Sequence, residues 1–562
     1  MTRRRLALAV LILLVTWSAP LRAQNAPCRA LYVRPEAGSL EDALAQARSL
    51  RKTEPDMHIC IRLHEGTYFL PHLVRVGREE TGGKGAETVL QRDGSGKVVL
   101  SGGIDLPVHA PRAATWVFDT VGLCGGVAQR SLYVNGNRRI RARFPKTGTF
   151  SIAGEIPRRI EDGKAFDAFR FAPDLDTGLS ALNADSEIVA WHFWSMSRMG
   201  IRAVDRTTNV ITLNGITSHT DEWGRFAKSG KFYFENVNGD NLMPGEWFQV
   251  GATITYRPTI VEGQGVPSVV LPCTPRLLEF GEGAHDVRVE GLSFVHTGES
   301  HRGYEQTPAQ AGIGQHTSAA INLRGAQRIR FANVEVSGTA DFAFLFDRRT
   351  RDAGLLGSKL QDIGGGAVAI GDPAGAYSRT ALSEDIRSRN EIARNVIREG
   401  GRIRQDAVAI WIGDVGGNTL VGNQISGFSY SAISLGWGWG GMKLSRGNLI
   451  KGNVLSDIGQ GELSDLAAIY TMSDLAGTII RNNRISDVGA ARYGGFGIYL
   501  DRNSSGLLVE GNSIKQTKSA GLALHYAADN VIRNNSICSV SPIDIVKPGA
   551  LPNTIEGNDC RD

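Results

Sequence analysis

An asparagine returns at nearly constant intervals through the last third of the chain: Asn395, Asn423, Asn453, Asn483, Asn512, Asn535 and Asn558, with gaps of 28, 30, 30, 29, 23 and 23 residues. Each follows an Ile, Val or Leu by three positions, and most are followed two residues later by another aliphatic. Between them recurs a short apolar unit: Ala409-Ile-Trp-Ile412, Ala432-Ile-Ser-Leu435, Ala468-Ile-Tyr-Thr471, Gly497-Ile-Tyr-Leu500 and Gly521-Leu-Ala-Leu524. A fixed period of this length marks a solenoid. Alternating Ile- and Val-rich runs with Gly and Asn at the corners are strand units and not helical repeats. The predicted architecture is an all-β, right-handed parallel β-helix whose coils stack about 4.8 Å apart. Stacked asparagines at one corner then form an amide ladder, a structural role.

The amino terminus reads as a leader and not as structure. Arg3, Arg4 and Arg5 precede a short apolar run, and Ala23 offers a cleavage point before Gln24. Such a run is too short to span a bilayer, so residues 1–23 are expected to be a signal peptide of a secreted or periplasmic protein. The formal charge of +5 includes Arg3, Arg4, Arg5 and Arg22. Without them 58 basic residues face 57 acidic ones, which gives no support to a nucleic-acid partner. The six cysteines form no Cys-x-x-Cys pair, which argues against zinc. Export permits disulfides. Cys538 and Cys560 are about one coil apart, and Cys28 with Cys60 would fasten the amino-terminal end.

Three regions follow the leader. Residues 24–112 read as a cap and the first coils; Ser39, Leu40, Ala43, Leu44, Ala47 and Leu50 suit an amphipathic helix, with Ser39 and Asp42 as a capping signal. Such a helix would cover the open solenoid end. Residues 113–272 lose the coil pattern and read as an inserted β-rich, sandwich-like domain, opened by a hairpin on Asn135-Gly136. Coils resume over residues 273–562.

Setting Ile410, Ile433, Ile469, Ile498 and Leu522 as equivalent and inward places Trp411, Ser434, Tyr470, Tyr499 and Ala523 in one outward row. Trp437 and Trp439 lie nearby. Outward aromatic rings suit the apolar faces of sugars, unless the insert or a loop covers them. Two positions further on stand Asp501 and His525, with Asp372, Asp414 and Asp474 close by; Asp406 and Asp465 align four residues before the reference isoleucines. Paired carboxylates cleave glycosidic bonds, one donating a proton and the other attacking the anomeric carbon or activating water. Asp465 and Asp501, on adjacent coils, are the predicted catalytic pair of a polysaccharide-degrading glycoside hydrolase. Asp406, Asp474 and His525 are its predicted supporting residues, and Trp411, Trp437, Trp439, Tyr470 and Tyr499 its sugar-lining ones.

Two other readings fit the same face. A polysaccharide lyase or uronate epimerase would need positive charge at a uronate. Asp372 and Asp414, with Asp474, offer oxygens for calcium, and Arg348, Arg349 and Lys443 offer cations. A non-catalytic polysaccharide-binding protein of the cell envelope is the third. No further cofactor is expected. His296, His301 and His316 lack metal-ligand spacing.

The segments Tyr430-Ser-Ala-Ile-Ser-Leu-Gly-Trp437, Leu463-Ser-Asp-Leu-Ala-Ala-Ile-Tyr470 and Gly497-Ile-Tyr-Leu-Asp-Arg-Asn-Ser-Ser-Gly506 resemble the right-handed β-helix proteins grouped around glycoside hydrolase family 141. Leu132-Tyr-Val-Asn-Gly136, Arg141-Ala-Arg-Phe-Pro145, Pro244-Gly-Glu-Trp247 and Tyr256-Arg-Pro258 resemble that group's inserted β-domain. The resemblance covers most of the mature chain and implies α-L-fucosidase- or xylanase-like activity. It also implies that the aspartates of the Ser-Asp-x-x-Ala-Ile-Tyr and Gly-Ile-Tyr-x-Asp motifs, here Asp465 and Asp501, are catalytic.

Overall fold

A computed structural model describes residues 28–561, apart from 37, 84, 128, 157–165, 176–178, 218–222, 239–241, 300–309, 315, 375–386 and 438–444. The leader, Trp439, His301 and Lys443 therefore lie outside the described residues. Among the described residues no helix is long and apolar enough to cross a membrane.

Three parallel sheets of 13, 11 and 11 strands wind into a β-helix, right-handed as parallel crossovers are. Each coil adds one strand to each sheet, and inward Ile, Leu, Val and Phe side chains stack into one continuous core. The register follows the period of the sequence. Ile410 pairs with Ile433, Ile433 with Ile469, Ile469 with Ile498 and Ile498 with Leu522.

The asparagine corner is a hydrogen-bonded column. Asn453 donates its backbone N–H and its side-chain amide to Asn483 Oδ1, at 2.9 and 3.0 Å, and that amide also reaches Leu420 O. The same pattern runs from Asn395 to Asn558. A second column stands five residues earlier in each coil, at Asn390, Asn418, Asn448, Asn530 and Asn553. Thr478 and Leu507 interrupt it, which hides its period in the sequence.

The helix Ser39–Thr53 caps the first coils and buries Leu40, Ala43, Leu44 and Ala47. Ser39 is not its cap. Gly38, in the left-handed region at φ 76°, holds the N-cap position, and the Ser39 hydroxyl donates backward to the carbonyls of Arg34 and Glu36.

The insert leaves the solenoid unbroken. Thr88–Arg92 pairs directly with His285–Glu290, and Val98–Ser101 with Ser293–Val295, so the coil before the excursion stacks on the coil after it. The excursion's outgoing strand, Gly103–Asp105, lies antiparallel to its returning strand, Val269–Pro272. It therefore starts ten residues earlier than loss of the coil pattern suggests, because these two strands pair with each other and not with a coil. Antiparallel sheets enclose two small cores of the insert's own. The Asn135-Gly136 hairpin forms, with both residues at positive φ. Cys124–Cys273 closes the insert's neck, Cys28–Cys60 joins the first two coils, and Cys538–Cys560 fastens the last.

Candidate active site

The site forms on the outer face of the sheet that carries Ile410–Ile412, Ile433–Leu435, Ala467–Thr471, Phe496–Leu500 and Ala520–Ala527. Alternation along Ala467–Thr471 and Phe496–Leu500 turns Ile469 and Ile498 inward and Tyr470 and Tyr499 outward. Asp465 lies in the turn entering the first strand, at φ 57°; Asp501 follows the end of the second. The aspartates thus approach the two tyrosines from opposite ends of adjacent strands.

Three donors converge on Asp501, which is buried. Tyr470 donates its hydroxyl to Oδ2 at 2.5 Å, Tyr499 to Oδ1 at 3.2 Å, and His525 Nδ1 lies 2.7 Å from Oδ1. His525 comes from the next coil, where a register irregularity after Leu524 turns it toward Asp501. Tyr493 hydrogen bonds the Tyr499 hydroxyl at 3.0 Å and completes the fan.

Asp465 is half-buried and differently held. Its backbone N–H donates to Tyr493 O at 2.7 Å, and its carbonyl accepts the Tyr430 hydroxyl at 2.8 Å. Gln310, from the loop covering this face, donates to that same hydroxyl at 2.8 Å and also hydrogen bonds the Asp465 carboxyl. Burial, reinforced by the charge of Asp501, pushes the Asp465 carboxyl up to about 8 against the opposing pull of Arg502 and Gln310. Burial and the two carboxylates also raise Tyr470 and Tyr499, so both phenols remain donors at neutral pH. The arrangement can hold one carboxyl with its proton beside one carboxylate, the division of labour of acid–base pairs.

Asp406 is a third carboxyl of this face, with a different function from the one its alignment with Asp465 suggests. Its Oδ2 accepts Met196 N–H from the insert at 3.2 Å, so it clamps the insert to the coils. Burial, opposed chiefly by Arg404, pushes it up to about 7, and its Oδ1 has no hydrogen-bond partner among the described residues. Asp341, also raised by burial, pairs with Arg404 at 3.5 Å.

The insert forms the near wall. Its hairpin Glu187–Trp191 and Met196–Asp205 turns at residues 192–195, against the Asp465 turn. Ser464 N–H donates to Phe193 O at 2.8 Å, and Lys231 of the insert stands 3.8 Å from Glu462. At the base of the hairpin, buried Glu187 and half-buried Glu235 pair with buried Arg130, Arg141 and Arg198. Burial alone would raise Glu187; Arg130, Arg141 and Arg198 overcome it and hold the carboxyl far below its ordinary range.

Several expected roles change. Trp411, Tyr470 and Tyr499 do point outward, but the row is covered, leaving exposures of 0, 1 and 1 %; Tyr493, Phe496 and His525 pack against Tyr499. These rings are not open sugar faces. Trp437 is equally buried, donates to Ser434 Oγ at 3.1 Å and stacks on Tyr470. Asp474 is held by a two-pronged pair with Arg446 and accepts Ala476 N–H; it supports a corner and does not touch the aspartate pair. Asp372 and Asp414, the residues offered to calcium, lie together. Asp414 accepts Asp372 N–H at 3.0 Å and pairs with Arg348 at 2.6 Å, so a cation already sits on it. Arg349 is exposed and pairs with Glu282. Among the described residues no group of three or more His, Cys, Asp or Glu side chains is arranged for a metal.

Sequence reasoning missed Gln310, Tyr430, Tyr493, Arg404 and Asp341. Extending the coil alignment upstream to Phe342–Phe346 puts Ala340, not Asp341, at the position of Asp406, since Phe344 pairs with Val368 and Val368 with Ile410. Gln310 carries no coil signal either.

Residues 437–560 match the family model described as a right-handed β-helix region. A solved structure described as "Glycoside hydrolase" superimposes with a TM-score of 0.74 at 21 % identity, covering 94 % of this chain and 96 % of that one. A xylose complex of XylC matches at a TM-score of 0.46 and 11 % identity, over 86 % of this chain and 70 % of that one. An alginate lyase from Paenibacillus sp. str. FPU-7 matches at 0.28 and 14 %, over 50 % and 92 %. No curated protein matches the chain.

Proposed function

We propose that this protein is an exported glycoside hydrolase in which Asp465 donates the proton and Asp501 supplies the carboxylate. The observation that carries the reading is the pair itself: two carboxyls on adjacent coils, electrostatically coupled, in unlike settings. A carboxyl raised to about 8 holds its proton at neutral pH and can deliver it to the glycosidic oxygen as the bond breaks. Asp501, held by Tyr470, Tyr499 and His525, attacks the anomeric carbon or takes a proton from water. The likeness to a structure described as a glycoside hydrolase over nearly the whole chain supports the same class. The substrate class is a plant or microbial polysaccharide, with α-L-fucosidase- or xylanase-like specificity. Three disulfides support a secreted or periplasmic setting.

The first test is one incubation with a polysaccharide and aryl-glycoside panel, reading reducing ends and unsaturated-uronate absorbance together. Reducing ends without absorbance are expected; absorbance would make the protein a lyase. Asp501→Asn should then lose roughly a thousandfold in kcat on every substrate at unchanged Tm. Asp465→Asn should lose as much on the polysaccharide but far less on 4-nitrophenyl glycosides, whose leaving group needs no proton. Activity should fall as pH rises through about 8, where Asp465 gives up its proton. A fully active Asp501→Asn would end the assignment.

A further inference from the structure

The geometry points to a leaving-group subsite built by the insert: Phe193, Trp194 and Trp223 form an aromatic platform beside Asp465 for the sugar that departs. This rests on the hydrolase reading above and adds where the departing sugar sits.

The platform is compact. Trp194 and Trp223 ring centres are 4.5 Å apart at 36°, and Phe193 lies 5.1 Å from Trp223 and 5.7 Å from Trp194. All three are half-buried, in contrast to the sealed rings of the coil row. Large, partly open aromatic faces suit the C–H faces of pyranose rings.

Its placement is fixed at both ends. Phe193 O takes the N–H of Ser464, the residue before Asp465. His192 holds the hairpin to the Trp223 segment, with Nδ1 2.9 Å from Arg225 O and its ring 5.2 Å from Phe226. A group that protonates the leaving oxygen must stand beside the leaving sugar, and Phe193, at one end of the platform, is bonded through its carbonyl to the residue before that group. The insert thereby acquires a reason to dock where it does: the solenoid supplies the carboxyls, but Trp411, Tyr470 and Tyr499 of its outward row are buried.

The test compares Trp223→Ala with the unsubstituted protein on two probes that share a glycone, an oligosaccharide cleaved in the panel and the corresponding glycosyl fluoride, which has no departing ring. Trp223→Ala is expected to lower kcat/KM for the oligosaccharide roughly thirtyfold more than for the fluoride, mainly through KM. Trp223→Tyr, which keeps a ring, should recover most of the difference, and this separates stacking from misfolding. Equal losses on both probes, or no loss, would overturn the platform. Binding is read independently by tryptophan fluorescence with four- to six-sugar oligosaccharides from xylan, pectin and alginate. Saturable binding that Trp223→Ala weakens, without turnover, would retain the platform as a sugar site while removing the hydrolase reading and the leaving-group assignment. No binding to any of these probes, together with no turnover, would overturn both.

Discussion

Two rows of polar side chains run up the same stack of coils, and they differ in how their hydrogen bonds close. At the asparagine corner the members repeat the same bonds from coil to coil, and those from Asn423 to Asn535 are buried and satisfied on both sides. On the outer face of the sheet with Ala467–Thr471, Asp406, Asp465 and Asp501 share no pattern. One clamps the insert, one is raised by burial and a neighbouring charge, and one collects three donors. A repeating, closed network stabilises; a non-repeating one that holds carboxyls raised by burial costs stability and is a candidate place for chemistry.

The largest effect that would test this contrast is at the ladder. Asn453→Ala removes two acceptor bonds from Asn423 and two donor bonds, to Leu420 O and Asn483 Oδ1, inside the core. It should cost roughly 3–5 kcal/mol in urea unfolding, with activity per folded molecule unchanged. A loss below about 1 kcal/mol would mean that neighbouring coils close the gap and that the ladder is not the structural element.

Asp406→Asn should act in the opposite direction. A carboxyl raised to about 7 in the fold keeps a proton that the unfolded chain releases from about pH 4 upward. The native state binds more protons across that window, so stability falls as pH rises from about 4 to about 7, and the cost is fully present above it. An amide keeps the Met196 N–H acceptor and cannot ionise. The substitution should therefore flatten the pH dependence and stabilise the protein at pH 9 by a few kcal/mol, on the order of what three pH decades carry. Thermal unfolding between pH 4 and 9 would measure it; a parallel pH profile for both proteins would refute the assignment.

The smallest effect is Tyr470→Phe. It removes one of three donors to Asp501 and leaves the ring's packing in place. A roughly tenfold loss in kcat is expected with a stability change near 1 kcal/mol, because two donors still orient the carboxylate. A thousandfold loss would make the phenol a participant in the chemistry.

The fold was largely legible because a solenoid is local. Each strand's partner lies one period away, so register from Ile410 to Leu522 could be read by aligning the chain with itself. The juxtaposition of Asp465 and Asp501, the proposed acid–base pair, was legible for the same reason, since they occupy adjacent coils. What covers the face was not legible. Trp411 and Tyr499 stand in the outward row as alternation requires, yet both are buried. Met196 reaches Asp406 across 210 positions of sequence, and Gln310 reaches Tyr430 across 120.

The sequence by itself determined the coil period, the stacking register, the inward core and the pairing of Asp465 with Asp501, because each depends on neighbours one repeat apart. Tertiary structure alone decided which aromatics are buried and which stay half-open, that Asp406 clamps the insert, that Arg446 takes Asp474, and that Arg348 occupies the place offered to calcium. The Asp406 clamp depends on how the insert folds back on the coils, and the Arg446 and Arg348 pairs on side chains reaching between coils; no repeat encodes a contact between residues that do not themselves repeat.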